Sequence, residues 1–216
     1  MKWYKMGNFP ADNFFYTIRN EKQMIRQFKK IHTVTAAIFA LLLLTFHPAQ
    51  AEKMIAVGDT VPVTAALPDQ TGTMQNLKDL YGENGALLVF YRSADWCPYC
   101  KAQLIELRNE AQKIESHGLN IIGISYDPVE KLARFAEKRD IDFRLLSDKD
   151  STVIRQFGIL DETQREGSFA YGVPKPAVYV VDEKGIINAI LAEDSYKTRP
   201  QIDVIMDEIF KMNGGR

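Results

Sequence analysis

Apolar residues in this chain recur with two periods. Leu87-Leu88-Val89-Phe90-Tyr91 is a continuous apolar run of strand length. Behind it, Leu104, Leu107, Ala111 and Ile114 recur at three- and four-residue spacing. That spacing predicts a helix opening at Pro98 and ending near His117-Gly118, with Gly118 suited to the left-handed position past a helix end. Leu119 to Tyr126 is again nearly all apolar and reads as a second buried strand. Asp127-Pro128 with Glu130 supplies an N-cap, a proline at N1 and a capping-box acid. The helix so opened carries Val129, Leu132, Phe135 and Ala136 on one face. Phe143 to Leu146 predicts a short third strand. Asp148 or Asp150 is expected to cap a helix that turns Val153, Ile154 and Phe157 inward and closes at Gly158.

Residues 161–172 are polar and read as a surface loop, a site for partner contact. Ala177 to Val181, the turn Asp182-Glu183-Lys184-Gly185 and Ile186 to Leu191 predict a hairpin. The last helix opens near Pro200 and is expected to bury Ile202, Ile205, Met206, Ile209 and Phe210. Residues 52–84 are a turn-rich leader, with one helical turn expected between Asn76 and Leu80. The order β-α-β-α-β-α-β-β-α predicts an α/β fold, a central mixed sheet flanked by helices on both faces.

Ahead of this domain the pattern changes. Lys29-Lys30 precedes an apolar run from Val34 to Phe46, broken by His47-Pro48 and followed by Ala49-Gln50-Ala51. A positive segment, an apolar segment and an A-x-A site read as a secretory signal, with cleavage expected after Ala51. Residues 1–51 form that signal and 52–216 the folded domain. Met24 offers a simpler start, so residues 1–23 are read as a candidate untranslated stretch. The expected location is periplasmic or secreted. The alternative is an uncleaved anchor, for which the run is short of the ~20 residues a spanning helix needs. The chain has 27 Lys and Arg and 28 Asp and Glu. Seven of those bases and two of the acids lie in residues 1–51, which leaves the domain 20 bases against 26 acids, a net charge of −6. That balance excludes a nucleic-acid surface.

The chemistry concentrates in Trp96-Cys97-Pro98-Tyr99-Cys100, which holds both cysteines of the chain. A helix N-terminus leaves N–H groups unpaired and carries partial positive charge, so it stabilises a thiolate placed there. Cys97, at that start, is expected to be the exposed, attacking sulfur. Cys100, one turn in, is expected to face the core and resolve. Pro98 fits N1. A purely structural disulfide closing so short a loop would remove little unfolded-state entropy. A metal site needs more ligands, and His117 is the only histidine after residue 51; its place at a helix C-terminus suits a solvated cation. A copper-binding assembly factor is thus the least supported reading, and no cofactor is expected. Trp96 and Tyr99 are candidate walls of a substrate groove. Lys101 and Arg92 are candidates for lowering the Cys97 pKa through nearby charge.

The cysteine motif, Ile122-Gly123-Ile124-Ser125-Tyr126-Asp127, Lys131-Leu132-Ala133-Arg134-Phe135, Leu145-Leu146-Ser147-Asp148 and Pro176-Ala177-Val178-Tyr179-Val180-Val181-Asp182-Glu183-Lys184-Gly185 together resemble the thioredoxin-fold superfamily. The resemblance is to the branch shared by peroxiredoxins (AhpC/TSA, redoxin) and extracytoplasmic thiol-disulfide oxidoreductases. It covers roughly residues 55–212. Peroxiredoxins place their reactive cysteine in a P-x-x-x-T-x-x-C pattern, where this chain has Phe90 and Ala94; Ser93 and Asp95 flank the threonine's place. Their arginine would fall at Pro176. Pro176 instead matches the cis-proline of thioredoxin-like oxidoreductases, so the Lys175-Pro176 bond is expected cis, packed on the motif, with Pro174 trans. The buried acid that thioredoxins carry six residues before the first cysteine is Tyr91 here, with Glu106 or Asp95 as substitutes. The reading is a thiol-disulfide oxidoreductase with Cys97 and Cys100 catalytic and Trp96, Pro98, Tyr99, Lys175 and Pro176 lining the groove. Its partners would be protein thiols or disulfides and a thiol redox partner. The alternative is a thiol-dependent peroxidase with Cys97 peroxidatic.

Overall fold

The computed structural model describes residues 55–62, 65–193 and 195–214. The expectations about a signal, a start at Met24 and cleavage after Ala51 lie outside the described residues. The domain opens with a small antiparallel ribbon, β1 (Leu67–Pro68) and β2 (Met74–Gln75), and a 3-10 turn, Leu77–Leu80. There follow β3 (Gly85–Phe90), α1 (Pro98–Ser116), β4 (Leu119–Ser125), α2 (Val129–Arg139), β5 (Arg144–Ser147) and α3 (Thr152–Gln156). The chain ends in β6 (Ala177–Asp182), β7 (Ile187–Ala192) and α4 (Ile202–Met212).

β3 pairs antiparallel with β6, and β6 antiparallel with β7. β4 pairs parallel with β5. The Tyr91 N–H donates to the Ile124 carbonyl at 3.1 Å and joins the two groups, in the order β5-β4-β3-β6-β7. The sheet is therefore mixed. β3 reads as continuously apolar because both its faces are covered. Leu87, Val89 and Tyr91 pack with α1, α2 and α4 on one side. Ala86, Leu88 and Phe90 pack with α3, Leu77 and β1 on the other. Ala86 to Phe90 are fully buried, and each large side chain among them gains about 1.5–3 kcal/mol by leaving water.

Three local expectations are corrected. Asp127 does not cap α2, whose N-cap is Pro128 with no side-chain bond; the Asp127 carboxylate turns inward, as described below. α3 is N-capped by Ser151, in a left-handed conformation, while Asp148 accepts from the Thr152 and Ile154 N–H groups at 2.9 and 2.7 Å. Asp148 thus does the work of a cap from outside the cap position. Phe210 is 45% exposed, because Ile205, Met206 and Ile209 already fill the stripe that α4 turns to the core.

The hairpin register positions the site. Phe90 pairs with Ala177, and Ala177 with Ala192. Residues after Phe90, before Ala177 and after Ala192 therefore meet at one end of the sheet.

Candidate active site

β3 delivers the chain to a tight loop, residues 91–96, and α1 starts immediately after it. Cys97 is the N-cap of α1, extended at φ −88° and ψ 107°, and its sulfur accepts from the Cys100 N–H at 3.3 Å. Pro98 is exposed at the first helical position, where no N–H is needed. Cys97 and Cys100 are joined in a disulfide, with Cα atoms 5.3 Å apart. That separation is ordinary for a disulfide, so α1 holds the pair without unwinding. Cys97 is not the exposed sulfur that the sequence led us to expect. It is 2% exposed and Cys100 0%. The cause is its own bonding, to Cys100 and to the helix start, together with an arginine lying across both sulfurs.

That arginine is Arg199, in the segment between β7 and α4. Its Nη2 lies 3.2 Å from Cys100 Sγ and 3.9 Å from Cys97 Sγ. Its Nη1 donates to the Tyr196 carbonyl at 2.6 Å, which aims the guanidinium at the sulfurs. Burial and the neighbouring Arg92 lower its pKa, and a guanidinium remains cationic throughout the physiological range. It is absent from the residues expected from the sequence. Nothing local marks Arg199, and the one usable signal was the hairpin register, which returns the chain after Ala192 to the Cys97 end.

The cations that were singled out are occupied elsewhere. Arg92, 7% exposed, sits over the Trp96 and Tyr196 rings at 5.5 and 4.7 Å and pairs with Asp161 at 3.7 Å. Lys101 donates to the Asp95 carbonyl at 3.0 Å. Asp95 pairs with Lys131, and Glu106 is exposed on α1. Ser93 donates to Asp127 at 2.7 Å and accepts from the N–H groups of Asp95 and Trp96, so its hydroxyl is committed to the loop. Tyr91 is fully buried, and burial together with nearby Asp127 pushes its phenol far up.

Asp127 anchors this loop. Its carboxylate accepts from Ser93 Oγ and the Ala94 N–H, both at 2.7 Å, and from Ser125 Oγ at 3.1 Å. It is 3% exposed, and burial raises its pKa despite these donors. This buried carboxyl group at the root of the loop fixes the backbone that leads into Cys97.

Aromatic side chains gather beside the cysteine loop. Trp96 is half-buried, stacks edge-to-face on Phe169 at 5.3 Å and donates from Nε1 to Tyr126 Oη at 2.9 Å. Tyr126 donates in turn to the Phe169 carbonyl at 2.7 Å, which ties the 161–172 loop to the site. Burial raises the Tyr126 pKa, partly offset by the Trp96 bond. Tyr99, 40% exposed, meets Tyr196 edge-on at 6.5 Å.

The Lys175-Pro176 bond is trans, as is every other peptide bond among the described residues. The expected cis geometry is corrected. The Lys175 N–H donates to the Ile159 carbonyl at 2.6 Å, and Pro174 bridges Leu160. This extended pairing runs straight into β6 and needs no reversal of the backbone. Lys175 is exposed and Pro176 half-buried, both at the Cys97 end of the sheet. His117 caps the far end of α1, about 28 Å of helix away from Cys97. Among the described residues no three His, Cys, Asp or Glu side chains gather as metal ligands. No helix among them is long and apolar enough to cross a membrane.

A thioredoxin-like fold with a dithiol at the start of the helix after its central strand defines a thiol-based redox enzyme. Comparison with known proteins makes the class narrower. The AhpC/TSA family model matches residues 57–190, and the chain belongs to that family. It is 35% identical over 153 residues to peroxiredoxin Bcp of Escherichia coli K12, covering 71% of this chain and 94% of that one. It is 36% identical over 140 residues to a putative peroxiredoxin of Mycobacterium tuberculosis, covering 64% of this chain and 86% of the relative. Among solved structures, peroxidoxin BcpB of M. tuberculosis superposes with TM-score 0.61 at 30% identity, over 75% of this chain and 99% of that one. Peroxiredoxin Q of Xanthomonas campestris, at TM-score 0.57 and 19% identity over 76% and 97% of the two chains, shares the fold.

Proposed function

We propose that the protein is a thiol-dependent peroxidase, with Cys97 as peroxidatic and Cys100 as resolving cysteine. The observation that carries this reading is the Cys97–Cys100 disulfide at the N-terminus of α1 in a chain of the AhpC/TSA family. A cis Pro176 beside the motif would favour protein disulfide exchange, and the Lys175-Pro176 bond is trans. The relatives named above support the peroxidase reading.

The proposed reaction runs in three steps. The Cys97 thiolate, favoured by the helix start, attacks one peroxide oxygen. The O–O bond breaks, the leaving oxygen departs as water or alcohol after taking a proton, and Cys97 becomes a sulfenic acid. Cys100 Sγ attacks that sulfur, water leaves, and the observed disulfide results. An external thiol then restores the dithiol. Location outside the cytoplasm, through a cleaved signal in residues 1–51, is part of the proposal and rests on the sequence pattern. N-terminal sequencing of the exported protein tests it, with Glu52 expected first.

Stopped-flow fluorescence of Trp96 tests the chemistry. The reduced enzyme should be oxidised by hydrogen peroxide or an alkyl hydroperoxide faster than ~10⁴ M⁻¹s⁻¹, the low end of typical enzyme efficiency. Slow reaction with both, combined with rapid oxidation by a protein disulfide, would return the assignment to disulfide exchange.

A further inference from the structure

The guanidinium of Arg199 is nearer the resolving sulfur than the attacking one, at 3.2 Å from Cys100 Sγ against 3.9 Å from Cys97 Sγ. Among the described residues no carboxylate forms an ion pair with it, and its Nε is buried without a hydrogen-bond acceptor. Its acceptors are the backbone carbonyls of Tyr196 and Thr198 and the two sulfurs. An unneutralised cation is thus held against a buried disulfide, on the side of the sulfur that is fully enclosed.

We propose that Arg199 is a catalytic residue of the reductive half-reaction, stabilising the Cys100 thiolate as it leaves. Cys100 has no exposure at all, so an incoming thiol reaches Cys97. The reductant thiolate attacks Cys97 Sγ and forms a mixed disulfide. The Cys97–Cys100 bond breaks and its electron pair passes to Cys100 Sγ. A thiolate born in that apolar enclosure, between Leu104 and the other buried residues of the cluster, is strongly disfavoured unless a charge meets it. Arg199 Nη2 stands at hydrogen-bonding distance from that atom before the bond breaks, so the charge is met without reorganisation. A second reductant thiol, or the partner thiol of a dithiol, attacks the mixed disulfide and releases Cys97. The rate of disulfide cleavage follows the leaving thiol's pKa, which is the quantity Arg199 controls. This role is the same whether the oxidant is a peroxide or a protein disulfide, so it does not rest on the peroxidase reading.

Two measurements test it. In a Cys97→Ser variant, where Cys100 is the only thiol after residue 51, thiolate absorbance should give Cys100 a pKa below the ordinary ~8.5 of a free cysteine despite its burial. A value at or above that overturns the proposal without any change to Arg199. In the second, the oxidised Arg199→Gln enzyme is reduced by excess dithiothreitol and followed by Trp96 fluorescence. Its rate constant should fall about tenfold or more, the scale of a charge-assisted hydrogen bond, with Arg199→Lys recovering part of the loss. An Arg199→Gln enzyme that melts like the parent and is reduced at the parent rate overturns it. So does one whose oxidation by peroxide slows while its reduction does not, since Arg199 would then serve Cys97 alone.

Discussion

Asp127→Asn removes the charge at the root of the active-site loop with almost no change of shape. In the native protein one carboxylate oxygen takes the Ser93 hydroxyl, and the other takes the Ala94 N–H and the Ser125 hydroxyl. An asparagine offers one acceptor oxygen and an amide that only donates. With that oxygen kept against the Ala94 N–H and the Ser125 hydroxyl, the amide nitrogen faces Ser93 Oγ, which already accepts from the Asp95 and Trp96 N–H groups. The Ser93 hydroxyl then loses its acceptor, and a buried unpaired donor costs about 1–3 kcal/mol. For a domain of this size each kcal/mol moves the melting midpoint by about 2–4 °C, so a fall of roughly 2–12 °C is expected. The pH dependence gives a sharper test. Burial holds the Asp127 carboxyl above its ordinary 3.8. Between the unfolded and the folded pKa the native state binds a proton that the unfolded chain has lost, so this group's contribution to stability declines as pH rises through that window and is constant above it. Asparagine has no such term. The deficit of the variant should therefore be largest in acid and narrow as pH rises. Thermal melts of both proteins in steps from pH 4 to 8 measure it, and the difference cancels Asp148, whose pKa is also raised by burial. Equal midpoints at every pH, or a deficit that widens with pH, would refute the reasoning.

Three further outcomes are expected. Tyr126→Phe removes both the acceptor of Trp96 Nε1 and the donor to the Phe169 carbonyl, so limited proteolysis within residues 161–172 should accelerate several-fold, about the effect of 1 kcal/mol; unchanged cleavage would show that the loop is held by other contacts. Gly123→Ala would place a Cβ 2.7 Å from Leu145 Cδ2 and 3.1 Å from Tyr91 Cε1, and should lower stability by about 1–3 kcal/mol in denaturant melts, whereas a neutral result would mean that Leu145 turns aside freely. Cys100→Ser should accumulate Cys97 sulfenic acid after one equivalent of peroxide, detected by dimedone labelling, while the parent labels little; equal labelling would remove Cys100 from the resolving step.

The elements were legible because their cause is local. Strand β3 and helix α1 announce themselves by period, and Gly118, at φ 79°, stands just past the end of α1 as its permissive backbone requires. The cysteine pair was legible for the same reason. Asp127 was misjudged because a helix-start pattern and a buried anchor have the same sequence, Asp-Pro-x-Glu, and only the position of the 91–96 loop across the sheet decides between them. The proline was misjudged because its conformation depends on what the preceding residues pair with, and Ile159 and Leu160 lie well upstream in the chain. Arg199 was invisible because its partner atoms are 99 residues away. These three misses are long-range contacts in the site, whereas those at the α3 cap and at Phe210 are local.

These misses together give the site its character. A C-x-x-C motif suggests an open groove for a protein substrate, yet here Arg199 lies against both sulfurs, and Cys97 and Cys100 are 2% and 0% exposed. Cover of that kind obstructs a folded protein more than a hydroperoxide group, which needs only a narrow approach to one atom. The three-residue spacing fits the same chemistry. Cys97, outside the helix at its N-cap, points its sulfur at the Cys100 N–H, so under the proposed peroxidase reading sulfenic acid and resolving thiol would meet within one turn. With the disulfide formed, α1 is intact from Pro98 onward. What remains to be managed is charge, first on Cys97 and later on Cys100. The helix start meets the former, and Arg199, supplied from the far end of the β6–β7 hairpin, is placed to meet the latter.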